Sequence, residues 1–193
     1  MNKLLLWDLK AELYRKFRKR FVFGYILERE NKSLISLLNK VPSKIETVLD
    51  LGTGDGNALQ LVSTAKQKIG VDSSLKMLFN ARKNVNAEFL NSDLVHLSVK
   101  NQIADIVLAI GVLEYFSKLD PILCEIYRIT RDNAHIIISY SPNNVWTFLR
   151  QFSGHRIYPM KLDNIIKVIE RNNFQFIAVN KGMMQHQILI KKR

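Results

Sequence analysis

Residues 48–57, VLDLGTGDGN, constrain the fold more tightly than any other stretch of this chain. A short apolar run ends there in three glycines at alternate positions, Gly52, Gly54 and Gly56. Apolar residues without polar alternation suit a strand covered on both faces. The glycines read as the turn from that strand into a helix: lacking Cβ atoms, they reach positive φ and let a ligand lie against bare backbone. The helix N-terminus beyond them favours a negatively charged ligand group. Strand, glycine turn and helix in this order belong to α/β chains, so the remainder should alternate in the same way.

It does. After a strand at 47–51, residues 57–65 read as a helix, 68–71 as a strand, and 74–84 as a helix capped by Ser73-Ser74. Residues 87–90 suit a third strand and 104–110 (ADIVLAI) a fourth, fully buried one. A helix over 119–131 carries Pro121 in its first turn, where proline is tolerated. A fifth strand at 134–140 and a helix at 162–173 follow. Strands at 174–180 and 187–191 flank Gly182 with no helix between them, so the last should run antiparallel to its neighbour. Ahead of the alternation, Leu6, Leu9, Leu13, Phe17 and Phe21 mark an amphipathic helix over 4–22. Gly24 is expected to break it, with a second helix at 25–39 and a turn at Pro42-Ser43. The expected architecture is α/β: a doubly wound, seven-stranded, mostly parallel sheet with an antiparallel last strand, plus an N-terminal helical lid. One domain accommodates all 193 residues, with 1–40 as the lid and 45–193 as the core.

Spacing narrows the ligand. A dinucleotide turn wants G-x-G-x-x-G, whereas this one is G-x-G-x-G followed by Asn57. Asp50 stands two residues before Gly52, at the strand end. Its carboxylate would face a pyrophosphate uncomfortably, but could pair with the amino group of an amino-acid ligand. That favours S-adenosylmethionine over NAD. Asp72, closing the second strand as IGVD, occupies a place where carboxylates accept ribose hydroxyls.

With these residues in place, 45–193 resembles the class I S-adenosylmethionine-dependent methyltransferase superfamily, whose core is Rossmann-like, and in particular its small single-domain members. The resemblance implies that Asp50, Gly52, Thr53, Gly54 and Gly56 hold the methionine half of the cofactor and that Asp72 binds its ribose. It implies that Ser73, Ser74 and Met77 flank the ribose and adenine, and that Ser92, Asp93 and Leu94 lie at the adenine. It assigns Gly111, Val112, Leu113 and Glu114 to a loop covering the cofactor, with S-adenosylhomocysteine as product. Tyr115 stands where many relatives have His.

Methyl transfer from a sulfonium is an in-line displacement, in which positioning and desolvation supply most of the rate. An O- or N-nucleophile of high pKa also needs a general base nearby. Candidate catalytic residues are His155, Tyr14 and Tyr115, the second only if the N-terminal helix folds over the site. Tyr158 joins His155 in the segment 141–159, where Trp146, Phe148 and Phe152 are candidates for an apolar substrate wall. Each has a plainer reading, as a packing aromatic or a loop histidine. No N-P-P-Y or D-P-P-Y run is present, and Cys124 falls inside a predicted helix, which argues against base amino-methylation and a cysteine nucleophile. His96, His135, His155 and His186 lack ligand spacing, so no metal is expected.

Charge bears on partners. The net charge of +12 is concentrated at the ends: 10 Lys/Arg against 4 Asp/Glu over 1–40, 11 against 11 over 41–153, and 8 against 2 over 154–193. The basic first helix reads as a solvated face, a dock for anionic lipid, or a phosphate-contacting surface. The single Cys124 and the early Asp8, which ends an apolar start too short for a signal peptide, lead to the expectation of a cytoplasmic protein, at most peripheral to a membrane. The expected acceptor is an O, N or C nucleophile on a small molecule, such as a lipid-like or sugar-containing one. The alternatives are an RNA or protein methyltransferase using the basic ends, and a non-catalytic cofactor-binding subunit. Oligomeric state is left open.

Overall fold

A computed structural model describes residues 21–151 and 156–193. Helix α1 (Phe21–Leu38) leads into β1 (Thr47–Leu51), α2 (Asn57–Leu61), β2 (Gln67–Asp72), α3 (Leu75–Asn84) and β3 (Glu88–Asn91). The second half comprises β4 (Ala104–Ala109), a 3₁₀ turn at Leu113–Tyr115, α4 (Asp120–Ile129), β5 (Thr130–Tyr140), α5 (Val145–Gln151), α6 (Leu162–Arg171), β6 (Phe174–Lys181) and β7 (His186–Lys192). The seven strands form one sheet in the order β3-β2-β1-β4-β5-β7-β6. The β1–β2, β2–β3, β1–β4 and β4–β5 pairs are parallel, and β7 is antiparallel to both β5 and β6. The predicted sheet and its antiparallel final strand are therefore present.

The strands hold the centre because they are apolar on both faces. Every residue of β1 is buried. One core layer packs Ile122, Leu123, Ile126 and Ile129 of α4 with Ile165 and Ile169 of α6 against the sheet; the other places Leu34 and Leu37 of α1 with Ala58 and Leu59 of α2 on the opposite face. From β1 the chain winds outward one way through β2 and β3, and then returns to wind the other way through β4 and β5. Ligands of open α/β sheets bind where that reversal opens a crevice, outside the carboxyl ends of the strands. Here the crevice lies between the ends of β1 and β4.

Some local expectations change. α1 runs straight through Gly24, because the roughly 1 kcal/mol cost of glycine in a helix is small against an apolar stripe packed on the sheet. α2 stops at Leu61 rather than reaching 65, since Val62 is already extended. β5 starts at Thr130, directly after α4, and absorbs an irregularity in its pairing with β4, with Asn133 at positive φ. α5 was not anticipated as an element. The predicted helix over 4–22 lies, apart from its last two residues, outside the described residues.

Candidate active site

The end of β1 carries Asp50, which is 2% exposed. Its Oδ2 accepts a hydrogen bond of 2.7 Å from the Thr53 hydroxyl. Burial pushes the Asp50 carboxyl up to about 7; the Thr53 hydrogen bond opposes this, and the neighbouring charges of Asp72 and Asp55 add to it. A buried acid among other acids is poised to receive a cation, because a cation offsets the desolvation that raises its pKa.

The turn beyond it is stitched by backbone. Gly52 and Thr53 both donate to the Val71 carbonyl, at 2.8 and 2.9 Å. Asp72 ties the turn to α3: its Oδ2 accepts from the Gly54 amide and its Oδ1 from the Ser74 amide, each at 2.9 Å. Ser74 is the observed cap of α3, its hydroxyl accepting from the Met77 amide. At Gly52, with φ +70°, an added Cβ would lie 2.7 Å from Val112 Cγ2, so glycine is required for closure against the β4 loop. Gly111 also has positive φ, and a Cβ there would meet nothing within 4 Å; its amide donates to Ser139 Oγ at 2.7 Å. Together the β1 and β4 turns leave open backbone on either side of the crevice, above a buried carboxylate. An amino-acid-bearing, cationic nucleoside fits that arrangement.

Asp50, Gly52, Thr53, Gly54, Asp72, Gly111 and Val112 thus lie at or beside the turns that end β1, β2 and β4, whereas Gly56 faces Val85 and Ala81, where an added Cβ would lie 2.7 Å from Val85 Cγ1. Ser73 is exposed, while Met77 and Leu94 are buried. Asp93 is exposed and accepts from the Val95 amide at 3.1 Å, and the Ser92 hydroxyl accepts from the Ser98 amide at 3.2 Å, so both fold the turn after β3 onto itself. α1 reaches the same region, since the Asn57 side-chain Nδ2 donates to Asn31 Oδ1 at 2.8 Å.

The segment after β5 holds most of the remaining candidates. Tyr14, His155 and Phe152 lie outside the described residues. Trp146 and Phe148 are 41% and 59% exposed; a seven-residue helix has one inward stripe, and Thr147 and Arg150 occupy it. Arg150, overlooked in the sequence, is the hub of this segment. Its Nη2 lies 2.5 Å from Glu114 Oε1, and its Nη1 donates to Ser141 Oγ at 2.9 Å and to the Met184 carbonyl at 3.3 Å. Burial would lower its pKa, but Glu114, with Tyr115 and Glu30 adding to it, holds the guanidinium above its ordinary value. The Glu114 carbonyl accepts from the Tyr158 amide at 2.8 Å, which lays the chain after α5 across the β4 loop. A lone arginine within the apolar run VWTFLRQ was the available signal for it.

Comparison with known proteins agrees with this geometry. Residues 49–138 match a family model described as a methyltransferase domain. An arsenite methyltransferase of Halobacterium salinarum is 33% identical over 104 residues, covering 49% of this chain and 27% of that protein. A malonyl-[acyl-carrier protein] O-methyltransferase of Marinomonas sp. is 28% identical over 151 residues, covering 70% of this chain and 56% of that protein. The chain therefore spans between about a quarter and just over half the length of these curated relatives. Among solved structures, a chain of the complex between the Haloferax volcanii Trm112 methyltransferase activator and a methyltransferase superposes with a TM-score of 0.81 at 17% identity, covering 96% of each chain. Magnesium protoporphyrin IX methyltransferase from Synechocystis, with bound S-adenosylhomocysteine, gives 0.80 at 19% identity over all of both chains.

Proposed function

We propose that the chain is a class I S-adenosylmethionine-dependent methyltransferase, and that it transfers a methyl group from that cofactor to an O, N or C nucleophile of a small molecule. The observation that carries the reading is Asp50, a carboxyl buried beside further carboxylates at the mouth of the crevice. When bound, the cofactor supplies a sulfonium-activated methyl group. Asp50 and the turn Gly52–Gly56 hold its amino-acid end. Asp72 faces its ribose, with Ser73 and Met77 alongside. Ser92, Asp93 and Leu94 border its base, and Gly111 and Val112 close over it. These residues orient the donor and keep water from it, which suits a displacement governed by alignment. Tyr115, at the edge of the Arg150 cluster, is the described candidate for work at the acceptor.

A cytoplasmic location, with the basic ends meeting an anionic surface, belongs to the same reading; no helix among the described residues is long and apolar enough to cross a membrane. The likeness to a chain of the Trm112 complex favours a protein partner as a second reading, tested by whether a subunit co-purifies. Titration calorimetry provides the primary test. S-adenosylmethionine should bind the wild type, and Asp50→Asn should weaken that binding by at least about tenfold, the loss expected for a charge-assisted contact. Binding of NAD with none of S-adenosylmethionine would overturn the reading.

A further inference from the structure

Four buried side-chain oxygens of the described residues have no hydrogen-bond partner: Glu114 Oε2, Thr147 Oγ1, Gln185 Oε1 and Gln187 Oε1. All four belong to the surroundings of Arg150. Glu114 is its ion-pair partner, Thr147 precedes it by one turn on the inward stripe of α5, and Gln185 follows Met184, whose carbonyl accepts from it. The Gln187 amide donates to the carbonyl of Glu30 at 3.1 Å, and the Glu30 charge acts on the same guanidinium. That bond also fixes which end of the Gln187 amide is the oxygen. Glu114, Thr147 and Gln187 are only 2%, 1% and 1% exposed.

An unpartnered buried acceptor is costly, and native structures hold few of them. Chance would scatter such costs over the core. Here they collect on residues linked to Arg150, whose partner Glu114 sits in the 3₁₀ turn that follows Gly111 and Val112. The guanidinium of Arg150 is committed to Glu114, Ser141 and Met184, so the unmet capacity of the cluster is for hydrogen-bond donors. On the outer side of α5, Val145, Trp146, Phe148 and Leu149 face solvent at 41–70% exposure.

We propose that Glu114, Thr147, Gln185 and Gln187 form the acceptor-recognition subsite, and that it selects a substrate presenting hydroxyl or amine donors over one presenting a carboxylate. Resting on the family-based reading, it adds the class of the acceptor. Glu114 Oε2 receives a donor of the substrate while Oε1 stays on Arg150, and Thr147 and the two glutamines complete the ring of oxygens. A carboxylate placed there meets a carboxylate and amide oxygens, and Arg150 is already neutralised. Neither curated relative predicts this preference by name, since one acts on arsenite and the other on a malonyl group.

Saturation-transfer NMR on the S-adenosylhomocysteine-loaded protein tests it with matched fragments: benzylamine and phenol against benzoate. The amine and phenol should bind and benzoate should not. Glu114→Gln and Thr147→Val should each weaken donor binding by about threefold to tenfold, the worth of one hydrogen bond. Thr147→Val should melt no lower than the wild type, because it removes an orphaned hydroxyl; a merely structural threonine would not separate ligand binding from stability in this way. If Glu114→Gln fails to fold, Thr147→Val and Gln185→Leu decide. Preference for benzoate, undiminished donor binding in the variants, or binding of no fragment would overturn the proposal. Loading of S-adenosylhomocysteine is measured first by calorimetry. Its failure counts against the family-based reading, whereas successful loading followed by the wrong fragment preference counts against the subsite alone.

Discussion

Asp50→Asn should make the cofactor-free protein more stable and a poorer cofactor binder. The Asp50 carboxyl rises from 3.8 to about 7 on folding. At 1.36 kcal/mol per unit, that shift of roughly three units corresponds to about 4 kcal/mol of strain on the ionised folded state, as a ceiling. The sign follows from proton binding. A group with a raised folded pKa binds more protons folded than unfolded, so stability falls as pH climbs from about 4 to about 7 and stays low above that. Asparagine is neutral throughout and can still accept from the Thr53 hydroxyl. The variant should therefore match the wild type near pH 4 and exceed it by about 2–4 kcal/mol near pH 8. Urea unfolding of dialysed, cofactor-free protein across that range measures the difference directly, provided both proteins give the same slope. A variant less stable than the wild type at pH 8, or an offset that ignores pH, would refute the idea that Asp50 is held ionised at a cost. Adding S-adenosylmethionine should reverse the ranking, because only the wild type offers the ligand a carboxylate.

Three further outcomes are expected. Gly52→Ala forces a Cβ to 2.7 Å from Val112 at positive φ; thermal melts should show a loss of about 2–4 kcal/mol, of which Val112→Ala recovers the steric part but not the backbone strain. Asp72→Asn gives up one of two amide acceptors at 2.9 Å, costing about 1 kcal/mol in urea and more than tenfold in cofactor affinity by calorimetry. Arg150→Met strands the buried Glu114 charge and should cost about 3–5 kcal/mol, with Glu114→Gln on the same chain restoring much of it.

The residues proposed to hold the cofactor could be picked out in sequence because their features are local. Asp50, Gly52, Gly54 and Gly56 lie within one turn, while Asp72 ends β2 and Gly111 follows β4, strands whose apolar runs are easy to read. Sheet ends converge by construction, so knowing the strands located the residues. The acceptor half was illegible for the opposite reason. Arg150 of α5 meets Glu114, Ser141 and Met184, residues drawn from three separate turns or loops. Neither spacing nor periodicity announces such a cluster. The plainer reading of Trp146 and Phe148 as packing aromatics does not hold, because the inward stripe of this short helix carries Thr147 and Arg150 and leaves both rings exposed. Gly24 misled because local propensity was given more weight than the packing of Leu34 and Leu37.

The place of β7 bears on how the chain is made. It is last in sequence yet sits between β5 and β6, pairing along His135–Tyr140 on one side and Phe174–Lys181 on the other. Until it inserts, Ile136, Ile137 and Ile138, all fully buried in the finished sheet, line an open edge with unmet amides and carbonyls. Three consecutive isoleucines on a bare edge are a template for pairing with another nascent chain. Synthesis halted before residue 186 is thus expected to yield aggregates rather than a soluble remnant, and ribosome-bound chains should resist proteolysis only once Lys192 has cleared the exit tunnel.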